Sequence, residues 1–216
     1  MAKLDPSTIV TASQYGRVRR DYRRIVAGRR ARRRVRMGVV GSLQFETPEF
    51  AVWHVHELLH FEGWSQERVE RTLEDVEPWV PGADELVATL MVDTSDAAYA
   101  EAIGGLLAQP GSVVLRAGRD ALSSEVVEAG TPSDPVWYLR WRVTPWWHAA
   151  LSSGTLCAHV AWDPTPIQFP AVTAAALRTD LVETRGASST VLQRLLERTQ
   201  VQAHVQPESS CHTARP

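Results

Sequence analysis

The chain has 216 residues, of which 44% are hydrophobic and 22% charged. These are the proportions of a globular protein with one sizeable core, and they exclude a disordered chain. No apolar run approaches a membrane span, and the N-terminus lacks the apolar region of a signal peptide. The two cysteines, Cys157 and Cys211, do not suggest a disulfide framework. We therefore expect a soluble, cytoplasmic protein with no membrane partner.

The charge is unevenly distributed along the chain. Residues 1–36 contain eleven arginines and Lys3 but only two acidic residues, giving a net charge of +10, whereas the remainder carries −12. We expect the basic segment to lie against the acidic body or against a neighbouring subunit of a homodimer. Nucleic-acid binding is disfavoured, because the chain as a whole is acidic and the basic run lacks interleaved aromatic residues. Capture of an anionic substrate near the end of the basic helix is left open.

Apolar residues spaced three or four apart predict helices, and alternating or continuous apolar runs predict strands. In the first half, a short segment at 7–15 precedes a long helix at 11–34, an extended stretch at 35–45 and helices at 48–62 and 66–77. Strands are then predicted at 85–93, 113–117, 125–128, 136–143 and 154–162. Helices are predicted between and after these strands at 95–107, 145–151, 171–181 and 186–202, with a loop at 164–170.

These elements indicate an α+β protein. A helical N-terminal half, containing a helical hairpin, is expected to pack on a mainly antiparallel sheet of about five strands. Short turns between the later strands favour antiparallel pairing. Residues 1–202 are expected to form a single domain with an arginine-rich N-terminal helix, and the polar residues 203–216 a disordered tail.

The helix at 48–62 has clear boundary signals and carries an H-E-x-x-H pattern. Thr47 is expected to cap its start and Gly63 to end it. At about 100° per residue, His56 and His60 lie on one face, where two imidazoles can share a metal ion and Glu57 can activate a bound water. An ordinary amphipathic helix with histidines at its margin would give the same pattern.

A metal site needs a further ligand, and the candidates are Glu49 on the same face and His148 in the second half of the chain. Two histidines with one carboxylate favour iron(II), whereas three histidines with Glu57 as the base favour zinc and hydrolysis. Haem is a further option, since tryptophan-rich walls suit a porphyrin. Arg140 interrupts an apolar strand, so that it either points to solvent or clamps an anion.

Five segments occur in a characteristic order along the chain: RRRVRMG at 32–38, LQFE at 43–46, the glutamates and leucines of 57–62, PGADELVATLM at 81–91 and YLRW at 138–141. Taken together, they resemble a bacterial domain-of-unknown-function family, DUF3501. The resemblance covers most of the chain up to about residue 181, and no single segment of it is a functional motif. It implies no activity, but genes of that family neighbour those of rubrerythrin-like and iron–sulfur proteins, which suggests redox or metal chemistry by association.

The chain departs from the family pattern within the H-E-x-x-H helix. The family has Gln-x-Gln-Glu-x-x-Arg where this chain has His54, His56, Glu57 and His60, so that only the glutamate matches. We interpret the three histidines as a metal or haem site acquired by this member. Metzincin peptidases share the pattern as far as the following glycine, but their third histidine position is Gln66 here, which removes a required ligand.

The leading hypothesis is a metal-dependent enzyme that acts on a small-molecule substrate by redox chemistry at iron or haem, with a redox protein as a candidate partner. One alternative is a zinc-dependent hydrolase. Another is a non-enzymatic accessory or scaffold protein that docks an acidic partner through its arginine-rich helix. The candidate metal ligands are His56, His60, Glu49 and His148, and the candidate catalytic residues are Glu57 and Arg140.

Overall fold

The structure is a computed structural model that describes residues 3–131, 135–153, 155–183 and 191–205. These residues form helices and antiparallel strands in the proportions of an α+β protein, which confirms the predicted class. The helices are α1 (Ala12–Ala31), α2 (Pro48–Glu62), α3 (Gln66–Val76), α4 (Ala97–Leu107), α5 (Pro145–Ser153), α6 (Ala171–Glu183) and α7 (Val191–Val205). The strands are β1 (Arg34–Arg36), β2 (Gly41–Phe45), β3 (Glu85–Val92), β4 (Val113–Ala117), β5 (Asp120–Ser123), β6 (Glu125–Glu128), β7 (Val136–Arg142), β8 (Leu156–Val160) and β9 (Asp163–Gln168).

The strands pair in two antiparallel sheets, where the sequence predicts one sheet of about five strands. The first sheet has the order β1-β2-β3-β7-β6 and the second has the order β5-β4-β8-β9. Both sheets contribute to the same hydrophobic core. Within it, the indole N–H of the fully buried Trp141 in β7 donates to the carbonyl of Val113 in β4 at 3.0 Å, which links the two sheets.

Helix α1 begins with a capping box. The Thr11 hydroxyl accepts from the Gln14 N–H at 3.3 Å, and the Gln14 side chain accepts from the Thr11 N–H at 3.0 Å. The helix then continues through Gly28 to Ala31. One of its faces is buried against Phe50 of α2 and Leu192 of α7. The buried side chains on that face, spaced three or four residues apart, are Tyr15, Val18, Tyr22 and Val26.

Helix α2 has the boundaries that its sequence predicts. The Thr47 hydroxyl accepts from the Phe50 N–H at 3.3 Å, and Gly63 follows the helix with a φ of 97°, a conformation that favours glycine. Helix α3, capped by Ser65, packs against α2 through a separate apolar cluster. The predicted helical hairpin is therefore confirmed.

One predicted loop is wrong. Residues 164–170 contain most of β9, although Pro164 and Pro166 lie within them. β9 is an edge strand of the four-stranded sheet, where a missing backbone N–H costs no ladder hydrogen bond on the outer side. Strand β5 is also absent from the sequence prediction, because only Leu122 of its four residues is buried and the apolar alternation is too short to detect.

One boundary in the last part of the chain also differs from the prediction. Helix α7 extends to Val205, so that the first three residues of the predicted tail are helical. The rest of that tail and the predicted start of the helix, 186–190, lie outside the described residues.

Within the part of the chain that the structure describes, no helix combines the length and the apolar character needed to cross a bilayer. The longest, α1, has 20 residues, of which seven are arginines.

Candidate functional site: an arginine-lined groove

Helices α1 and α2 lie antiparallel, and an open groove of about 1210 Å³ runs beside them. Near the start of α1, Tyr15 stacks on His56 in the second half of α2, with ring centroids 4.7 Å apart. At the other end, Arg29 of α1 forms an ion pair with Glu49 in the first turn of α2. The groove continues from the helices onto the hairpin of β1 and β2.

Seven arginines line this groove, and none of its described lining residues is acidic. We call this surface the arginine groove. Its other walls come from Trp53 and His60 of α2 and from Ser42 and Gln44 of β2. The arginines are Arg19, Arg20, Arg23, Arg24 and Arg30 of α1, and Arg34 and Arg36 of β1.

The helical repeat explains why these arginines share one side of α1. Positions 16, 20, 23, 27 and 30 are three or four residues apart, and all of them line the groove. They flank the buried stripe that anchors α1 to α2 and α7. Arg17 and Arg32 are also exposed but do not line the groove, so the basic residues fall into two groups.

Three of the groove arginines are partly neutralised by carboxylates. Arg19 donates two hydrogen bonds of 2.9 Å to Glu57, and Arg23 lies 3.6 Å from the same carboxylate. Arg30 lies 3.6 Å from Glu46, and its guanidinium stands 5.4 Å from the centroid of the Trp53 ring. These contacts hold the three side chains in place at the groove wall.

The other four groove arginines keep most of their charge available. Arg20 forms no ion pair with any described residue, and Arg34 interacts with the Glu46 carboxylate only at longer range. Arg24 and Arg36 pair only with exposed carboxylates, at 3.0 and 4.0 Å. Exposed pairs of this kind contribute about 0–1 kcal/mol and exchange readily with solvent or with another anion. The groove therefore presents an excess of guanidinium groups.

Glu57, the glutamate of the H-E-x-x-H pattern, is held by α1. Besides the Arg19 contacts, the Tyr15 hydroxyl donates to Glu57 at 2.5 Å. Burial acts to raise the pKa of Glu57, but the hydrogen bonds from Arg19 and Tyr15 outweigh it and lower that pKa below its usual value. Burial, together with the same hydrogen bond, raises the pKa of Tyr15. Glu57 is therefore a carboxylate ion held in a network of cationic and hydroxyl donors.

His56 is fully buried, and the backbone occupies both of its ring nitrogens. Nδ1 donates to the Val52 carbonyl at 2.7 Å, and Nε2 accepts from the Val10 N–H at 3.1 Å. Burial lowers the pKa of His56 from 6.5 to about 4. The neutral ring, protonated on Nδ1, therefore anchors the segment before α1 to α2.

His60, one turn further along α2, is exposed and lines the arginine groove. Glu49, the other predicted ligand on α2, is bound to Arg29 through one carboxylate oxygen, and the second oxygen is buried without a hydrogen-bond partner among the described residues. His54 packs edge-on against Trp79, with ring centroids 5.6 Å apart, and burial lowers its pKa. The histidines of α2 thus have three different environments.

The two predicted site residues in the second half of the chain lie on other elements. Arg140 in β7 is 8% exposed; its Nη2 donates to the Pro78 carbonyl at 2.8 Å, and its Nε lies 3.7 Å from the Glu85 carboxylate. It is therefore a buried residue paired with a carboxylate, not a solvent-facing one. His148 is half-buried in α5, a helix that packs against α6 and strands β4 and β5.

The predicted ligand set does not fit a metal ion in this arrangement. Both nitrogens of His56 are engaged by the backbone, so binding a metal there would break one of these buried hydrogen bonds. No three His, Cys, Asp or Glu side chains in the described ranges are grouped to hold a metal ion. Redox chemistry at non-haem iron and zinc-dependent hydrolysis both require such a set, and these two hypotheses gain no support from the geometry. Haem binding needs only one or two axial ligands from the protein and stays a prediction.

Three residues that lie in or beside the arginine groove were not predicted as site residues: Gln44, Trp53 and Phe61. Gln44 donates to the Arg30 carbonyl at 3.2 Å, which attaches β2 to the last turn of α1. The available signal was the three- and four-residue spacing of the arginines. Nothing local in the sequence indicates which of them have carboxylate partners, because those partners are distant in the chain.

The fold and the groove define an α+β protein with one concave basic face. The chain belongs to DUF3501, a family of proteins of unknown function, which it matches over residues 3–182; the resemblance inferred from the sequence is confirmed. It is also similar to the crystal structure of a novel protein of unknown function from Burkholderia pseudomallei K96243. That similarity has a TM-score of 0.70 and 22% identity, covering 83% of this chain and 99% of the other, and it shows the fold alone. No curated protein matches the chain.

Proposed function

We propose that this protein is a non-enzymatic accessory protein that docks an acidic segment of a partner protein in the arginine groove. The observation that carries the proposal is the excess of guanidinium groups in a concave surface whose described lining residues include no carboxylate. Guanidinium groups bind carboxylates through two parallel hydrogen bonds, with defined geometry. A segment with several aspartates or glutamates complements this surface.

The size of the groove favours an extended segment over a small anion. Its volume of about 1210 Å³ exceeds the ~300–1,000 Å³ typical of small-molecule sites. The groove side of α1, from Gly16 to Ala31, rises about 22 Å at ~1.5 Å per residue. An extended peptide covers that distance with about seven residues at ~3.3 Å each. A single small anion would engage only part of this row of guanidinium groups.

The distribution of charge favours a protein partner over nucleic acid. The basic residues concentrate at the groove, whereas residues 37–216 carry a net charge of −12. A DNA duplex carries about one negative charge per ~1.7 Å and would extend beyond the groove over the acidic body. A short acidic segment can lie within the groove without extending over the acidic body, whose negative charge would repel it.

Fluorescence anisotropy with a labelled decapeptide, in which glutamate alternates with glycine, tests the proposal. The test variant is Arg20→Glu/Arg34→Glu, which reverses the charge of the two groove arginines that form no ion pair with a described residue. The matched control is Arg17→Glu/Arg32→Glu, which changes the net charge equally at exposed positions outside the groove. We expect the test variant to weaken binding at least about tenfold and the control by less than about threefold.

Two further probes define the class of partner. A decapeptide with glutamine in place of glutamate should not bind, and a ten-nucleotide oligothymidylate should bind more weakly than the acidic peptide. Equal loss of affinity in the two charge-reversal variants would overturn docking in the groove, because it would indicate nonspecific attraction to the basic segment. Tighter binding of the oligonucleotide would replace the acidic segment with a nucleic acid.

A further inference from the structure

An exposed aromatic side chain extends one end of the arginine groove. Phe61, in the last turn of α2, is 75% exposed. A single exposed apolar residue is ordinary on a protein surface. Here, however, the Arg19 guanidinium lies 5.3 Å from the centroid of the Phe61 ring, and the His60 ring packs edge-on against it at 5.5 Å. Because Arg19 and His60 also line the groove, Phe61 is continuous with it.

The electrostatics of this end differ from those of the rest of the groove. Glu57 neutralises Arg19 through two hydrogen bonds, and it lies 3.6 Å from Arg23. An acidic residue of a partner would therefore gain little from Arg19, whereas the charges of Arg20, Arg24 and the arginines of β1 remain available. The same ion pair fixes the guanidinium beside Phe61, so the platform is preorganised for an apolar contact.

We infer that the docked acidic segment carries an aromatic or large aliphatic side chain that packs on Phe61 and Arg19, with its acidic residues extending from there toward Arg34. This inference rests on the proposed function. With about seven extended residues covering the groove side of α1, the apolar residue and the most distant acidic residue are separated by roughly that number of positions. The recognised chemistry is therefore an acidic run with one apolar residue at its end.

Two labelled decapeptides test this inference, both with alternating glutamate and glycine. One begins with phenylalanine, and the other has alanine at that position. We expect the wild-type protein to bind the phenylalanine peptide about tenfold more tightly, the scale of a well-packed aromatic contact. In Phe61→Ala this preference should fall below about twofold, while the affinity for the alanine peptide stays within twofold of that of the wild type. Since Phe61 is exposed, the substitution leaves the core intact.

Trp146→Ala is the matched control, because it removes an aromatic side chain that is 78% exposed on α5, an element that does not line the groove. This variant should keep the full preference for the phenylalanine peptide. Equal binding of both peptides to the wild-type protein would overturn the apolar anchor but leave docking in the groove intact. If neither peptide binds, the proposed function itself fails. A preference that persists in Phe61→Ala would place the anchor elsewhere.

Discussion

Arg19 and Glu57 form a bidentate ion pair that joins α1 to α2, with two hydrogen bonds of 2.9 Å. Only 22% of the Arg19 side chain and 12% of the Glu57 side chain are exposed, so that solvent screens the pair weakly. Glu57 is the glutamate of the H-E-x-x-H pattern, and its carboxylate is bound to side chains of α1. Its charge also sets how much of the Arg19 charge is available to a partner.

Glu57→Gln should destabilise the protein and strengthen its binding of acidic peptides. The substitution keeps the shape of the side chain but removes the charge that pairs with Arg19 and Arg23. We expect the free energy of unfolding to fall by about 1.5–3 kcal/mol, the range for hydrogen bonds to charged groups. We also expect the affinity for the alternating glutamate peptide to rise severalfold, because two more guanidinium charges become available. Urea denaturation and fluorescence anisotropy measure the two effects.

The matched control is Glu62→Gln, which removes a carboxylate from the same helix where the side chain is 55% exposed. It should change the free energy of unfolding by less than about 0.5 kcal/mol. Weaker peptide binding by Glu57→Gln would contradict the electrostatic role assigned to Glu57.

The buried His56 should make the protein less stable in acid. Its pKa is about 4 in the folded state and 6.5 when exposed, so the unfolded state binds more protons between these values. The free energy of unfolding contributed by this residue is fully present above about pH 6.5 and falls as the pH decreases toward 4. The loss amounts to at most about 3 kcal/mol. Protonation of Nε2 would also break the hydrogen bond that this nitrogen accepts from the Val10 N–H.

Chemical denaturation of the wild type and of His56→Gln at several values between pH 4 and 7 measures this loss. The stability difference between the two proteins should shrink as the pH falls, because the variant has no imidazole to protonate. The control is His60→Gln, which alters an exposed histidine of the same helix. Its stability should follow that of the wild type across the range, and a parallel decline in all three proteins would refute the assignment to His56.

We also expect no stoichiometric transition metal at α2. The purified protein, incubated with excess zinc or ferrous iron and then desalted, should retain less than about a tenth of an equivalent by elemental analysis. The physical reason is that both His56 nitrogens are occupied by the backbone. One equivalent of metal that disappears in His60→Gln, an exposed substitution that leaves the His56 contacts in place, would instead restore the metal-site hypothesis.

Local signals in the sequence predict much of this fold. The boundaries of α2 follow from Thr47 and Gly63, whose effects operate within one turn of the helix. Strand β9 could not be predicted in the same way, because its prolines normally indicate a loop. They are tolerated only because β9 is at a sheet edge, and edge position is a property of the assembled sheet.

Less of the candidate site than of the fold could be predicted from the sequence. The spacing of His56 and His60 correctly places both on one helix, but it does not reveal that the Val10 N–H, 46 residues away, occupies a nitrogen of one of them. The arginine run is evident in the sequence. Its division into neutralised and available groups depends on contacts with Glu57 and Glu46, which only the packing of α1 against α2 and β2 creates.

Docking in the arginine groove should be strongly sensitive to salt. Four of its arginines, Arg20, Arg24, Arg34 and Arg36, are exposed, and the Debye length shortens from about 14 Å at 50 mM to about 7 Å at 200 mM monovalent salt. We expect the affinity for the alternating glutamate peptide to fall about tenfold over this range, mainly through slower association.

The variants separate the groove from the net charge of the chain. In Arg20→Glu/Arg34→Glu, the slope of the remaining affinity against salt concentration should be less than half that of the wild type. In Arg17→Glu/Arg32→Glu, this slope should equal that of the wild type. Stopped-flow fluorescence at several salt concentrations measures these slopes, and equal slopes in all three proteins would assign the attraction to the net charge of the chain instead of the groove.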